Sequence, residues 1–254
     1  MLCILGPAKT IDMTPHGVTN HHSTPQYLEQ AGELVDQLRG FSVGQLKSLM
    51  HMSDKLATLT FERYATWRTS YALEEGQQAI LAFSGEVFNG LQARSLTEKE
   101  LLFAQDHVRI LSGLYGVLRP LDSILPYRLE IGLKWSIGEY RNLYEFWKRI
   151  IPKRIADDTG KHFPSVLINL ASNEYFKSIQ PGSFPHKVIT PVFKESDGTG
   201  FRNVTIYAKK ARGMMLRFII HNRIKEPEYL KAFDQEGYYF NNDLSSKTEW
   251  VFCR

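Results

Sequence analysis

Cysteine is almost absent. Cys3 and Cys253 are the only two in 254 residues, at opposite ends of the chain and with no metal-ligand spacing. Both lie in apolar runs, where cysteine behaves as a small buried hydrophobe, so no metal and no cofactor is expected and a reducing cytoplasm fits. Long apolar runs are missing too: none approaches the roughly 20 residues that span a bilayer, so no membrane partner is expected. The start, MLCILGPAKT, lacks the basic opening of a signal peptide and reads as a buried strand. Lys9-Thr10 follows a small-residue turn, but the G-x-x-x-x-G-K-[ST] pattern of a phosphate loop is not there, which argues against a nucleotide triphosphatase. No Ser-His-Asp order, metal motif or nucleophile elbow is present. His16, His21 and His22 sit among Pro, Gly and Asn, as solvated loop histidines do.

What is present suffices for a full core. With 43% hydrophobic and 12% aromatic residues, the chain reads as a single compact domain over residues 1–254. The net charge of +4 is a mild bias toward polyanions.

Hydrophobic spacing organises the first third as helices. Thr24-Pro25 opens one that runs to about Arg39 and stops at Gly40. Ser42-Val43-Gly44-Gln45 is a capping box that opens a second, through Met50. A third is expected from about Lys55 to Tyr71. Residues 43–71 therefore carry a candidate helix-hairpin-helix, centred on Val43 to Ala57. In such an element the backbone N–H groups of the turn meet a DNA phosphate without reading bases. Its turn, Met52-Ser53-Asp54, holds none of the usual glycines, and an ordinary helical pair packed on the core fits the same residues. Further helices are expected from the capping box at Thr97 to Glu100 and over Gly138 to Ile155.

Three apolar runs end in a small, serine-containing turn followed by a carboxylate or an aromatic residue. They are Ala79–Phe83 into Ser84-Gly85-Glu86, Val108–Leu111 into Ser112-Gly113, and Val166–Leu170 into Ala171-Ser172-Asn173-Glu174-Tyr175. If all three are strands of one sheet, Ser84, Ser112 and Ser172 share an edge, the usual place of a site in such sheets. The second run leads into the richest stretch of the chain, where Tyr115, Arg119, Asp122, Tyr127, Arg128 and Glu130 follow within 20 residues. Asp122 and Glu130 are its candidate general acid or base.

Lys187 to Lys194 and Phe201 to Tyr207 read as a hairpin. A helix follows, opening at Ala208 and continuing to about Ile224, with Ala211, Met214, Met215, Phe218 and Ile219 as its core face. So placed, its first turn holds Lys209, Lys210 and Arg212, each unfavourable by roughly 0.3–1 kcal/mol against the helix dipole. That anomaly points to an anion receptor.

GPAKT, AFSGEVFNGL, LSGLYGVLRPLDSILPYRLEIG, INLASNEYF, PVFKE, YAKKARG and LSSKTEWVF, taken in this order, resemble the YaaA family of peroxide-stress proteins along essentially the whole chain. Gly6 stands where the family usually has Ser. The resemblance implies a cytoplasmic bacterial protein that keeps free intracellular iron low and so limits Fenton damage to DNA and proteins. It also implies a mixed α/β fold, here an α+β domain with a mixed central sheet surrounded by helices, a helix-hairpin-helix and a positively charged cleft. Double-stranded DNA is the implied partner, and no enzymatic activity comes with the family. Carried onto this sequence, Lys47, Ser53 and Lys55 become the hairpin's phosphate contacts, and Lys9, Arg128, Lys194, Lys209, Lys210 and Arg212 the cleft. Two functions are thus open: a DNA-binding stress factor using phosphate contacts, and an enzyme acting on a nucleotide or nucleobase held in the same cleft.

Overall fold

The first strand, Leu2–Leu5, lies at the centre of the sheet because it is apolar throughout and buried on both faces. In the computed structural model, which describes residues 1–254, it pairs in parallel with Val108–Ser112 on one side and Val166–Asn169 on the other. Lys187–Ser196 continues the sheet in parallel beyond Val166–Asn169, and Glu249–Cys253 lies parallel beyond that. Antiparallel edges close both sides: Gly116–Leu118 folds back on Val108–Ser112, and Tyr239–Asn241 on Glu249–Cys253. The result is a mixed sheet with five parallel strands inside and helices packed around it, an α+β fold. Because the inner strands run the same way, the loops after Leu5, Ser112 and Asn169 emerge at one edge.

The helical third follows its caps. Leu28–Arg39 ends at Gly40, and Val43–Met50 begins with the Ser42–Gln45 capping box formed in both directions. Asp54–Thr66 follows, with Ser53 as its N-cap. It stops at Thr66 rather than Tyr71, since Trp67 is extended and buried, with its indole N–H donating to Tyr115 Oη at 2.9 Å. His51 turns the corner in the left-handed region, at φ 49°, doing without glycine what this bend requires. The helical pair is present; Ser53 serves it as a cap.

Five expectations are corrected. Ala79–Ala82 is a helical turn, because the N–H groups of Ala79 and Ile80 are taken by the carbonyls of Asp122 and Pro120. Phe83–Ser84 then pairs with Thr10–Ile11 in a separate two-stranded sheet, outside the central one. The helix expected over Gly138 to Ile155 is two, Leu143–Trp147 and Ile151–Gly160. Pro152 sits in the first turn of the second, where it has no N–H to give back to the preceding turn. The strand returning from Phe201 ends at Arg202, and the next helix is Thr205–His221, beginning three residues earlier than its spacing suggests.

That last helix is seated by glycine. A Cβ on Gly213 would lie 1.8 Å from the Val87 carbonyl oxygen, and one on Gly90 2.1 Å from that of Lys210. Thr205–His221 and Glu86–Leu91 therefore touch backbone to backbone. Arg217 fastens the crossing, donating from Nη1 to the carbonyls of Leu91 and Gln92 at 3.1 Å each.

Candidate functional site

Where the parallel strands end, their exit loops surround a cleft of about 390 Å³. Gly6 to Thr10 leave the central strand on one side of it, and Leu170, Ser172, Glu174 and Tyr175 follow the neighbouring strand. Ser84 to Phe88 come from the separate hairpin and the short helix after it, and Tyr127 to Glu130 from the long loop beyond Gly116–Leu118. Lys209 and Arg212 complete the lining from the Thr205–His221 helix. Three residues apart, they share one helix face, which the Gly213 crossing sets beside Glu86 to Phe88.

The charges are unevenly matched. Glu130 takes two cations, Lys9 Nζ at 2.7 Å and Arg128 Nη2 at 3.1 Å. Glu174 accepts the backbone N–H of Gly132 at 3.0 Å, and Glu86 the side-chain amide of Asn89 at 3.3 Å. Lys209 and Arg212 have no carboxylate. Burial lowers the pKa of the Arg212 guanidinium with no anion to offset it. Arg128 Nε is buried with no hydrogen-bond partner. Burial pushes the phenols of Tyr127 and Tyr175 well up, so both remain neutral donors at physiological pH.

The helical pair docks at this cleft. Tyr64, on Asp54–Thr66, donates its phenol to the Arg128 carbonyl. Beside it Arg63 carries a guanidinium whose pKa is lowered, first by burial and also by the charge of Arg128. It has no carboxylate partner either.

Of the residues singled out from the sequence, Lys9, Arg128, Glu130, Lys209 and Arg212 meet in the cleft. Lys210 and Lys194 do not. Lys210 leaves the shared face and pairs with Glu236 at 2.5 Å, and Lys194 lies on the strand beside Cys253. Asp122 is fully buried elsewhere, its oxygens taken by Ser23 Oγ at 2.7 Å and by the Arg119 backbone N–H and guanidinium at 2.8–3.0 Å. It is fully buried and does not line the cleft, so it meets no ligand held there. Ser84 and Ser172 line the cleft, whereas Ser112 lies beneath it, 2.7 Å from Tyr127 Oη. The helix dipole does not make Lys209 and Arg212 an anion receptor. Lys209 is the fifth residue of its helix and Arg212 the eighth, beyond the first turn where the dipole acts. On the helical pair, Lys47 pairs with Asp54 at 2.8 Å, Ser53 Oγ caps the N–H of Leu56, and Lys55 is exposed and unpaired.

Glu86, Glu174 and Tyr175 belong to the site as well; the repeated turn layout carries all three, as the residues after the serines. Arg63 had no such signal.

Fold and cleft together define an α+β protein with a ligand-sized cleft at the carboxyl ends of a parallel-cored sheet, walled by charged and apolar residues. The model of the family described as peroxide stress protein YaaA matches residues 1–244, and the chain belongs to that family of peroxide stress proteins. The match stops at Leu244, just before the final strand, Glu249–Cys253. No helix is long and apolar enough to cross a membrane, and no group of three or more His, Cys, Asp or Glu side chains is arranged to hold a metal ion.

Proposed function

We propose that this peroxide stress protein acts in the cytoplasm by binding double-stranded DNA through its phosphates, using the cleft mouth and the helical pair beside it as one positively charged surface. The observation that carries this is Arg212, a desolvated guanidinium with no protein anion, next to the equally unpaired Lys209. Arg212 is half-buried and Lys209 exposed, so both are open to an anionic ligand that supplies the missing negative charge. Arg63, half-buried and without a carboxylate, extends the same excess toward the Val43–Met50 and Asp54–Thr66 helices, where Lys55 is free. Phosphates of any sequence meet such donors equally well. Protection of DNA and proteins under peroxide, with free iron held low, is the cellular outcome assigned to this binding.

The experiment is a salt-titrated DNA-binding assay on the wild type and on Lys209→Ala/Arg212→Ala. Affinity falls steeply with salt in the wild type and drops in the variant. Salt-insensitive binding, or an unaffected variant, rules the proposal out. Spin-resonance measurement of chelatable iron in peroxide-treated cells, with and without the protein, tests the cellular part separately.

One observation favours a second function. Glu130 is held at 2.7 Å from Lys9 inside a cleft rather than on an open face. An enzyme acting on a nucleotide or nucleobase would use Glu130 as its general acid or base. A turnover screen on nucleosides, nucleotides and DNA, with Glu130→Gln as the control, decides it.

A further inference from the structure

The cleft is the wrong shape and the wrong chemistry for a duplex backbone alone. A double helix, with a major groove already about 12 Å across, does not fit into a cavity of about 390 Å³. That volume lies in the range of small-molecule sites, roughly 300–1,000 Å³. Its walls are largely apolar: Pro7, Val87, Phe88, Leu129 and Leu170, with Tyr175 below Gly6. Three carboxylates, Glu86, Glu130 and Glu174, face the same space, which a backbone phosphate does not need.

Each feature suits a single base. Apolar and aromatic walls fit its faces. Carboxylate oxygens accept hydrogen bonds from its amino edge: N4 of cytosine, N6 of adenine, N2 of guanine. Glu130 and Glu174 are anchored by one or two protein donors each and are therefore preoriented without being saturated, since an ionised carboxylate has about four acceptor positions. The unpaired Lys209 and Arg212 stand at the same cleft for the phosphate that comes with the base.

We propose that the cleft receives one unstacked nucleotide of a DNA strand, with its phosphate on Lys209 and Arg212 and its amino edge on Glu130 and Glu174. This rests on the DNA-binding function above and adds to it the class of DNA bound: duplex containing an unpaired or readily everted nucleotide. Drawing a base from a stack is least costly where it is mismatched, damaged or already unpaired, so the cleft selects such sites over intact duplex. Thymine, with no amino group, is the poorest occupant.

The test uses the full-length protein and two readouts. Anisotropy of an end-labelled, fully paired duplex reports backbone binding. Fluorescence of 2-aminopurine in a one-nucleotide bulge reports occupancy of the cleft. The bulged duplex is expected to bind about tenfold tighter than the paired one, a factor set by one good pair of base-edge contacts. Free dCMP or dGMP competes with the bulge signal, dTMP competes worst, and Glu174→Ala loses the bulge preference. Equal affinity for bulged and paired DNA, with no competition by nucleotides, overturns the pocket and leaves duplex binding standing. If the protein binds no duplex at all, the parent function fails and the pocket is judged by direct titration with dGMP. Saturable binding that is lost in Arg212→Ala then upholds it, and no binding overturns it.

Discussion

The backbone of Gly213 packs directly on the carbonyl of Val87, so closely that a methyl group at position 213 would sit 1.8 Å from that oxygen. Two helices are thereby locked at one crossing, and Lys209 and Arg212 are delivered to the cleft. Gly213→Ala must force the helices apart, and overpacking against backbone costs about 1–3 kcal/mol or more. Urea denaturation should show a loss of this size, with DNA affinity falling as the two cations retreat. Unchanged stability would mean the crossing is looser than the structure has it.

Asp158 is buried and takes three cations: Arg109 Nε at 2.7 Å, Arg154 Nε at 2.8 Å and Lys161 Nζ at 2.9 Å. Burial pushes its carboxyl up, but Arg109, then Lys161 and Arg154, outweigh that and hold the pKa below the ordinary value. A depressed carboxylate contributes stability above its unfolded pKa of about 3.9 and loses it as pH falls through the lower folded value. Asp158→Asn leaves Arg109 charged and buried, and is expected to cost about 3–5 kcal/mol at neutral pH. The gap between variant and wild type should narrow below about pH 4, measured by chemical denaturation across pH.

His162 titrates in the opposite sense to a salt-bridged histidine. Burial first, then neighbouring positive charge, lowers its pKa to about 4. Its unfolded form takes a proton near pH 6.5, so the folded state loses stability as pH falls from about 6.5 toward 4. His162→Gln should flatten the thermal-melting profile across that window. An unchanged slope would place the acid sensitivity elsewhere, His107 being the nearest candidate, since burial lowers its pKa too.

Lys209 and Lys210 are adjacent in sequence and differ in partner: the first has none, and the second is paired with Glu236. Each phosphate contact contributes about −0.9 to the log–log salt slope on duplex DNA. Lys209→Ala and Arg212→Ala should each reduce the slope by about that much, and Lys210→Ala by less. Equal effects from all three would mean a diffuse electrostatic surface rather than a cleft mouth.

Asp122→Asn separates support from site. The carboxylate is spent on Ser23 and Arg119 and lies outside the cleft. Stability should fall by about 1–3 kcal/mol as charge-assisted bonds weaken, with ligand binding at the cleft unchanged in equilibrium titration.

Much of this was legible locally. Ser42 with Gln45, Thr97 with Glu100 and Gly40 mark helix ends through hydrogen bonds spanning a few residues, and they stand where expected. The doubly buried strands Leu2–Leu5, Val108–Ser112 and Val166–Asn169 announce themselves as apolar runs ending in small turns. Ala79 to Phe83 misleads because a short apolar run fits strand and helix alike, and only the distant carbonyls of Pro120 and Asp122 decide between them.

Asp122 and Glu130 show the limit most clearly. Eight residues apart on one loop, they are equal candidates as carboxylates, yet one is consumed inside the fold and the other faces the cleft. Sequence by itself determined the helix caps, the buried apolar strands and a shortlist of cations, and its family resemblance implied the mixed α+β fold. Tertiary structure alone decided which of them share a space: Lys9, Arg128, Lys209 and Arg212, but not Lys194 or Lys210. The reason is physical. Capping and hydrophobic period act over one or two turns of chain, whereas a charge is kept free or neutralised by partners such as Glu236, 26 residues away from Lys210.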